Sequence, residues 1–233
     1  MKNTIKKACE RIGVSLTEAQ LGQFESYYRL LIEWNEKINL TRITEPDEVA
    51  VKHFADSLTL LKYYNIPENA TVIDVGTGAG FPGIPLKIAR PDIKLTLLDS
   101  LNKRLNFLDT VCKEIGIDAT LVHSRAEDGG KNKLYREKYY LAVSRAVARL
   151  NTLSEYTLPF VKVGGSFAAM KGPELGEELS EAQNAIKTLG GKVENVFEFD
   201  LCDQGRTIVI INKVKKTAPA YPRHGSKIKS KPL

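Results

Sequence analysis

Two carboxylates and three closely spaced glycines carry the clearest chemical signal in this chain. Asp74-Val75-Gly76-Thr77-Gly78-Ala79-Gly80-Phe81-Pro82-Gly83 joins an apolar, β-branched run (71–75) to an amphipathic run (84–89). That order predicts a strand, a glycine turn and a helix. Glycines suit a backbone that must take positive φ or lie against a ligand with no Cβ between them. The helix that follows turns its free N–H groups into the crevice. The stretch therefore reads as a ligand cradle at the carboxyl end of a parallel strand. A dinucleotide fingerprint needs glycine at the sixth position, and here that position is Phe81. A pyrophosphate on a helix N-terminus would also sit badly beside Asp74, whose carboxylate suits a cationic ligand or an ammonium group. Asp99 follows the next strand-like run (93–98), about where a ribose-binding carboxylate is expected.

An acid on the first strand, G-x-G-x-G and an acid ending the second strand together resemble the S-adenosylmethionine site of Rossmann-like methyltransferases. In such folds the residues after the third strand, Ser124-Arg125-Ala126-Glu127-Asp128, surround the adenine ring. The end of the fourth strand, Ser144-Arg145, faces the transferable methyl group. That strand end has no Asn-Pro-Pro-Tyr or Asp-Pro-Pro-Tyr, as amino-directed adenine methylases use, and no Pro-Cys pair to attack cytosine C5. Arg145 stands there instead, a permanent cation with a planar fork. The chemistry that fits is attack by an acceptor already holding a lone pair, such as guanine N7. The protein then has to align acceptor, methyl carbon and sulfur, without a general base.

The elements that must position these groups follow in order. Residues 3–13 show a helical apolar spacing stopped by Gly13. Ser15-Leu16-Thr17-Glu18 reads as a capping box opening a long helix with Leu21, Phe24, Tyr28, Leu31 and Trp34 on one face. Asn35 and Asn39 favour a turn. Pro46-Asp47-Glu48 starts a further helix that carries His53 and Asp56 on one face. This pair either lines the cleft beside the glycine loop or makes a local hydrogen bond. Residues 1–65 thus form a helical extension, followed by a domain at 66–214. Strand and helix then alternate, which argues for a parallel sheet. Strands are expected at 119–123, 139–143, within 163–173, and at 192–199 and 206–212, with helices near 102–108, 150–158 and 174–189. Asp99 or Ser100 is expected to cap the first of these helices. Lys103 and Arg104 occupy its first turn, the wrong end of the dipole for cations, which hints at an anionic partner. A closing hairpin through Cys202-Asp203-Gln204-Gly205 completes the seven-stranded arrangement of Rossmann-like methyltransferases.

Composition narrows the class. At 233 residues, with 42% hydrophobic residues, a sizeable core is available. Cys9, Cys112 and Cys202 are far apart and odd in number, so neither a zinc site nor a disulfide framework is suggested, and no metal is expected. No apolar run approaches bilayer length and the N-terminus lacks a signal-peptide core, so a cytoplasmic enzyme is expected. The net charge is +6, and the last 21 residues hold seven Lys and Arg and no acid. The body is near neutral. A basic tail at 215–233 suits a polyanion such as nucleic acid, or else only aids solubility.

The motifs along nearly the whole chain resemble the bacterial small-subunit rRNA guanine-N7 methyltransferases, the glucose-inhibited division protein B family. The carriers are Trp34-Asn35 with Ile38-Asn39-Leu40-Thr41, His53-Phe54 with Asp56-Ser57-Leu58, residues 74–85, residues 99–108, Ser144-Arg145-Ala146, Lys171-Gly172, and Tyr221-Pro222-Arg223 ending in Lys231-Pro232-Leu233. The resemblance implies methyl transfer from S-adenosylmethionine to N7 of one guanine in 16S rRNA, on or near the small ribosomal subunit, by an enzyme expected to be a monomer. It implies cofactor contacts at Gly76, Phe81, Ala126, Glu127 and Arg145, with Asp99 on the ribose; Asp74 and Gly78 join them from the cradle. Arg145, Lys171 and Arg223, with Lys103 and Arg104, are the expected RNA contacts. Two other classes stay open. A small-molecule methyltransferase would keep the cradle without needing the tail, and a non-catalytic RNA-binding protein would lose the cofactor. A nicotinamide oxidoreductase is disfavoured by Phe81.

Overall fold

The computed structural model describes every residue except Ala146, Val147 and Glu174. Ala146 of the Ser144-Arg145-Ala146 motif and the first residue of the expected 174–189 helix therefore lie outside the described residues. The chain opens with helices α1 (Lys2–Arg11) and α2 (Glu18–Ile38). A helical run of short pieces follows: α3 (Pro46–Val49), a π-helical turn (Ala50–Ala55), α4 (Asp56–Leu58) and α5 (Leu60–Tyr63).

Three local expectations for this region are corrected. The capping box lies at Thr17 and Gln20, two residues later than expected: Gln20 N–H donates to Thr17 Oγ1 (3.2 Å) and Thr17 N–H to Gln20 Oε1 (2.8 Å). Tyr27, not Tyr28, is the fully buried tyrosine of α2. The helix also runs through Asn35 to Ile38. It stops at Asn39, which adopts the left-handed conformation (φ 48°) that asparagine tolerates. The Asn35 side chain then accepts the Thr41 N–H (2.8 Å) and turns the chain.

Among the described residues seven strands make one sheet: β1 (Thr71–Val75), β2 (Lys94–Asp99), β3 (Ala119–His123), β4 (Tyr139–Arg145), β5 (Val161–Lys171), β6 (Gly191–Leu201) and β7 (Gln204–Lys213). Their order is β3-β2-β1-β4-β5-β7-β6. The first five are parallel, and β7 inserts antiparallel between β5 and β6. The β6–β7 hairpin turns at Cys202 and Asp203, both at positive φ (49° and 62°), as a two-residue turn between twisted strands requires.

The crossovers are α6 (Gly83–Ala89), α7 (Asn102–Ile115), α8 (Ala126–Gly129), α9 (Leu150–Thr157) and α10 (Gly176–Thr188). One face of the sheet shares a continuous apolar core with α6, α7 and the N-terminal helices, from Ile5 and Phe24 to Leu97 and Phe107. The other face buries Ile73, Phe167 and Val209 under α9 and α10. The strand order reverses at β1, between β2 and β4. In such sheets that is where a crevice opens at the carboxyl ends.

The last stretch, including α11 (Gly225–Ser230), is folded onto the body, with Pro222, Gly225 and Ile228 buried. Of the basic stretch expected to suit a polyanion or else only aid solubility, the apolar residues pack on the body and Lys213 and Arg223 are engaged internally.

Candidate cofactor cleft and adjoining basic cavity

The β1–α6 loop takes its shape from its glycines. Gly76, Gly78 and Gly80 have φ of 73°, 60° and 98°, a region costly for residues with a Cβ. Gly80 is also closed in by its neighbours. A Cβ there would stand 2.5 Å from Tyr27 Oη and 2.9 Å from Leu108, and Tyr27 donates its hydroxyl to the Ala79 carbonyl. Gly76 and Thr77 N–H both donate to Leu98 O at the end of β2 (2.9 and 3.1 Å).

Two carboxylates hold this loop. Asp99 is 2% exposed and accepts Gly78 N–H on Oδ2 (2.9 Å) and Leu101 N–H on Oδ1 (2.9 Å), with Arg104 Nη1 at 3.4 Å. It ties the loop to the start of α7. The expected side-chain cap on that helix is not made: the cap position is Leu101.

Asp74 lies fully buried beneath the loop. Its Oδ2 accepts Thr77 Oγ1–H (2.7 Å) and Gly83 N–H (2.9 Å). Burial pushes its carboxyl up to about 7, against the opposing pull of those two bonds. Asp74 Oδ1 has no hydrogen-bond partner among the described residues.

Above the loop lies a cleft of about 800 Å³, within the size range of small-molecule sites. Gly76, Gly78 and Phe81 line its β1 side, Asp99 its β2 side, and Ala126 with Glu127 the turn after β3. Arg145 closes it from β4. Of the residues expected at a cofactor, Asp74 alone is not on the wall.

Arg145 is the hub of the far wall. Its Nη1 donates to Asp56 Oδ2 (2.8 Å), and its guanidinium carbon stands 4.9 Å from the Phe81 ring centroid. His53 stacks on the same ring, with centroids 4.6 Å apart, and Thr41 Oγ1 meets its Nε2 at 2.8 Å. Burial first, and Arg145 second, hold the His53 imidazole down at about 4. His53 therefore lines both the cleft and the adjoining cavity and Asp56 the adjoining cavity; Arg145 stands between them, with Nη1 on Asp56 and Nη2 3.4 Å from His53 Nδ1.

Beyond this hub is a second cavity of about 300 Å³. It shares His53 and Arg145 with the cleft and adds Lys52, Lys171 and Arg206. Arg206 donates Nε to Asp56 Oδ1 (2.7 Å). One buried carboxylate therefore orients two guanidinium groups. Sequence reading missed Arg206 because it opens a strand 150 residues from Asp56, and no local pattern marks that pairing.

The cations expected to meet RNA are placed unevenly. Lys103 is exposed and Arg104 is on the cleft wall. Lys171 lines the basic cavity, but its ammonium is held by Glu178 Oε1 (2.6 Å) and Ala148 O (2.7 Å). Arg223 forms a forked pair with Glu155, at 2.6 and 2.9 Å, and Glu155 is fully buried. Arg223, the further expected RNA contact, has its charge matched inside the fold by Glu155. Among the described residues no group of three or more His, Cys, Asp or Glu could hold a metal, and no helix is long and apolar enough to cross a membrane.

A parallel sheet with a terminal antiparallel hairpin, an acid-flanked glycine cradle and a cleft at the strand-order reversal define the class of Rossmann-like methyltransferases. Among solved structures, an S-adenosylmethionine-dependent methyltransferase from Aquifex aeolicus shares this fold, with a TM-score of 0.54 at 20% identity over 72% of this chain and 93% of its own. The family described as rRNA small subunit methyltransferase G matches residues 20–207, and the chain belongs to that family. Ribosomal RNA small subunit methyltransferase G of Desulforamulus reducens is 53% identical over 99% of this chain and 97% of its own. That of Brevibacillus brevis is 53% identical over 95% and 94%.

Proposed function

We propose that this chain transfers a methyl group from S-adenosylmethionine to N7 of a guanine in 16S rRNA, on the small ribosomal subunit. The observation that carries this reading is the shared wall of His53 and Arg145 between a cleft sized for a nucleoside cofactor and a smaller cavity rich in Lys and Arg. Relatives about half identical to this chain carry the name of a small-subunit rRNA methyltransferase.

The cradle suits S-adenosylmethionine. The loop exposes backbone without Cβ atoms, Asp99 and Glu127 supply acceptors on the cleft wall, and Asp74 Oδ1, unpartnered among the described residues, is a buried acceptor beneath the loop whose field favours a cationic group above it. When bound, the cofactor supplies an electrophilic methyl group on a positively charged sulfur. The chain's residues then bind, align and exclude water.

The groups at the shared wall favour an acceptor with a free lone pair. His53, with its imidazole near 4, is a weak base at neutral pH. Asp56 is occupied by two guanidinium groups. Methyl transfer from a sulfonium moves a positive charge and does not create one, so guanine N7 needs no proton removed. Lys52, Arg206 and Arg145 are suited to the anionic backbone and carbonyl oxygens around such a base.

The test mixes purified protein, methyl-labelled S-adenosylmethionine and small subunits from a strain lacking this modification. The RNA is then digested and its nucleosides identified by mass spectrometry. Labelled 7-methylguanosine is expected. Another labelled nucleoside would reject the lone-pair acceptor, and unlabelled RNA would reject the rRNA substrate.

A further inference from the structure

The C-terminal segment leaves β7 at the opposite side of the sheet from β3, yet it ends at the cofactor cleft. Its course is fixed by buried polar anchors. Lys213 is fully buried and donates Nζ to Leu158 O (2.6 Å) and Thr217 Oγ1 (2.7 Å). Thr217 N–H donates to Glu137 (2.8 Å) and its hydroxyl to Leu189 O (2.7 Å). The Arg136 guanidinium gathers the carbonyls of Thr217 (2.7 Å) and Tyr221 (2.8 Å). Arg223 then locks onto Glu155 of α9, and Ile228 is fully buried. Satisfying so many buried groups makes one path for this segment far more stable than a solvated chain.

That path carries it against residues of the cleft wall. Gly225 lies directly on the Glu127 side chain. A Cβ at Gly225 would overlap the Glu127 carboxylate oxygen and stand 2.9 Å from its Cδ. Gly225 has no need of glycine on backbone grounds, since its φ lies outside the left-handed region. The missing side chain serves the fit to Glu127. One turn further on, Lys229 lines the mouth of the cleft together with Glu127, Tyr156 and Arg125. The seven-stranded domain alone therefore leaves this side of the cleft unfinished.

We propose that the C-terminal segment is a working wall of the cofactor cleft. In this wall Gly225 sets the position of the Glu127 carboxylate toward the adenosine part of the ligand, and Lys229 forms the rim. The segment's basic composition then serves two ends: Lys213 and Arg223 anchor it, and Lys229 faces the ligand. This inference rests on the cofactor reading above and adds to it a set of binding determinants beyond β7.

The test measures S-adenosylhomocysteine binding by calorimetry for the full chain and three variants, with thermal melts alongside. Gly225→Val displaces the Glu127 carboxylate and should weaken binding by about tenfold or more, the scale of losing one hydrogen bond to a charged group. Lys229→Ala should weaken it severalfold with an unchanged melting temperature. Lys216→Ala removes the same charge from an exposed site away from the cleft and should bind like the parent. If the parent binds and both wall variants match it, the wall is rejected and the cofactor reading stands. Equal weakening in Lys229→Ala and Lys216→Ala would reject it too, leaving only a general charge effect. Should Gly225→Val fail to fold, Lys229→Ala against Lys216→Ala decides alone. A parent chain that does not bind S-adenosylhomocysteine would reject the cofactor reading itself.

Discussion

Arg145 and Asp56 meet at 2.8 Å on the wall shared by the two cavities, with the guanidinium set over Phe81 of the glycine loop. Asp56 holds Arg206 with its other oxygen at 2.7 Å. Three elements distant in sequence, the helical region before β1, the end of β4 and the start of β7, are thereby fixed to one another beside the loop. Removing a buried partner leaves uncompensated charge, which costs about 3–5 kcal/mol. Asp56→Asn should lower the urea denaturation free energy by about that amount and depress methyl transfer at least tenfold. A variant with parent stability and rate would show that the two arginines are held without Asp56.

The Arg223–Glu155 pair should behave as a structural bond. Arg223→Ala leaves the Glu155 carboxylate buried, so about 3 kcal/mol of stability should be lost. Arg149→Ala, which breaks an exposed pair with Glu181, should cost under about 1 kcal/mol. The salt dependence of RNA binding should be the same in Arg223→Ala as in the parent. A shallower slope would mean that Arg223 contacts phosphate after all.

His53 and Asp74 give the stability profile two opposing slopes. The folded chain holds His53 down at about 4, so it binds fewer protons there than the unfolded chain. That contribution is complete above about pH 6.5 and is lost as pH falls toward 4. Asp74 is held up at about 7, against an ordinary value of 3.8. Its contribution is complete below about pH 3.8 and lost as pH rises through about 7. The two offset each other between about pH 4 and 6.5. Relative to the parent, His53→Gln should gain stability as pH falls through that window, and Asp74→Asn should lose it. Parallel profiles for both variants would contradict these protonation states.

Asp74 also predicts a proton linked to binding. A cationic group bound over the loop favours the ionised carboxylate, so S-adenosylhomocysteine binding should release a fraction of a proton near neutral pH. Calorimetry in buffers of different ionisation enthalpy measures this. Asp74→Asn should release none, and equal release from both proteins would place the linkage elsewhere.

Gly80→Ala tests the loop. Its Cβ would meet Tyr27 Oη and Leu108 at a φ of 98°, combining overpacking with backbone strain, at a cost of about 2 kcal/mol or more. Gly116→Ala, at φ 65° with open space around it, should cost about 1 kcal/mol. Comparing the two melts separates crowding from strain.

The glycine loop and the alternation of strands and helices could be read directly because each depends on neighbours in sequence. Gly76, Gly78 and Gly80 need positive φ wherever the chain turns tightly from strand to helix, and β1 and β3 fall on the runs that predict them. Asp99 and Arg145 reach the cleft from strand ends, where a parallel sheet gathers side chains; Phe81 and Glu127, which the family resemblance named, line the same cleft. Tertiary structure decided what no spacing encodes: which carboxylate each cation meets. Asp56 takes Arg145 and Arg206, and Glu155 takes Arg223, across 68 to 150 residues of chain. In sequence Lys213 and Arg223 read as part of a basic stretch suited to a polyanion, whereas in the fold they are anchors. A charge announces only that it needs solvation, and the fold determines whether water, a carboxylate or a ligand provides it.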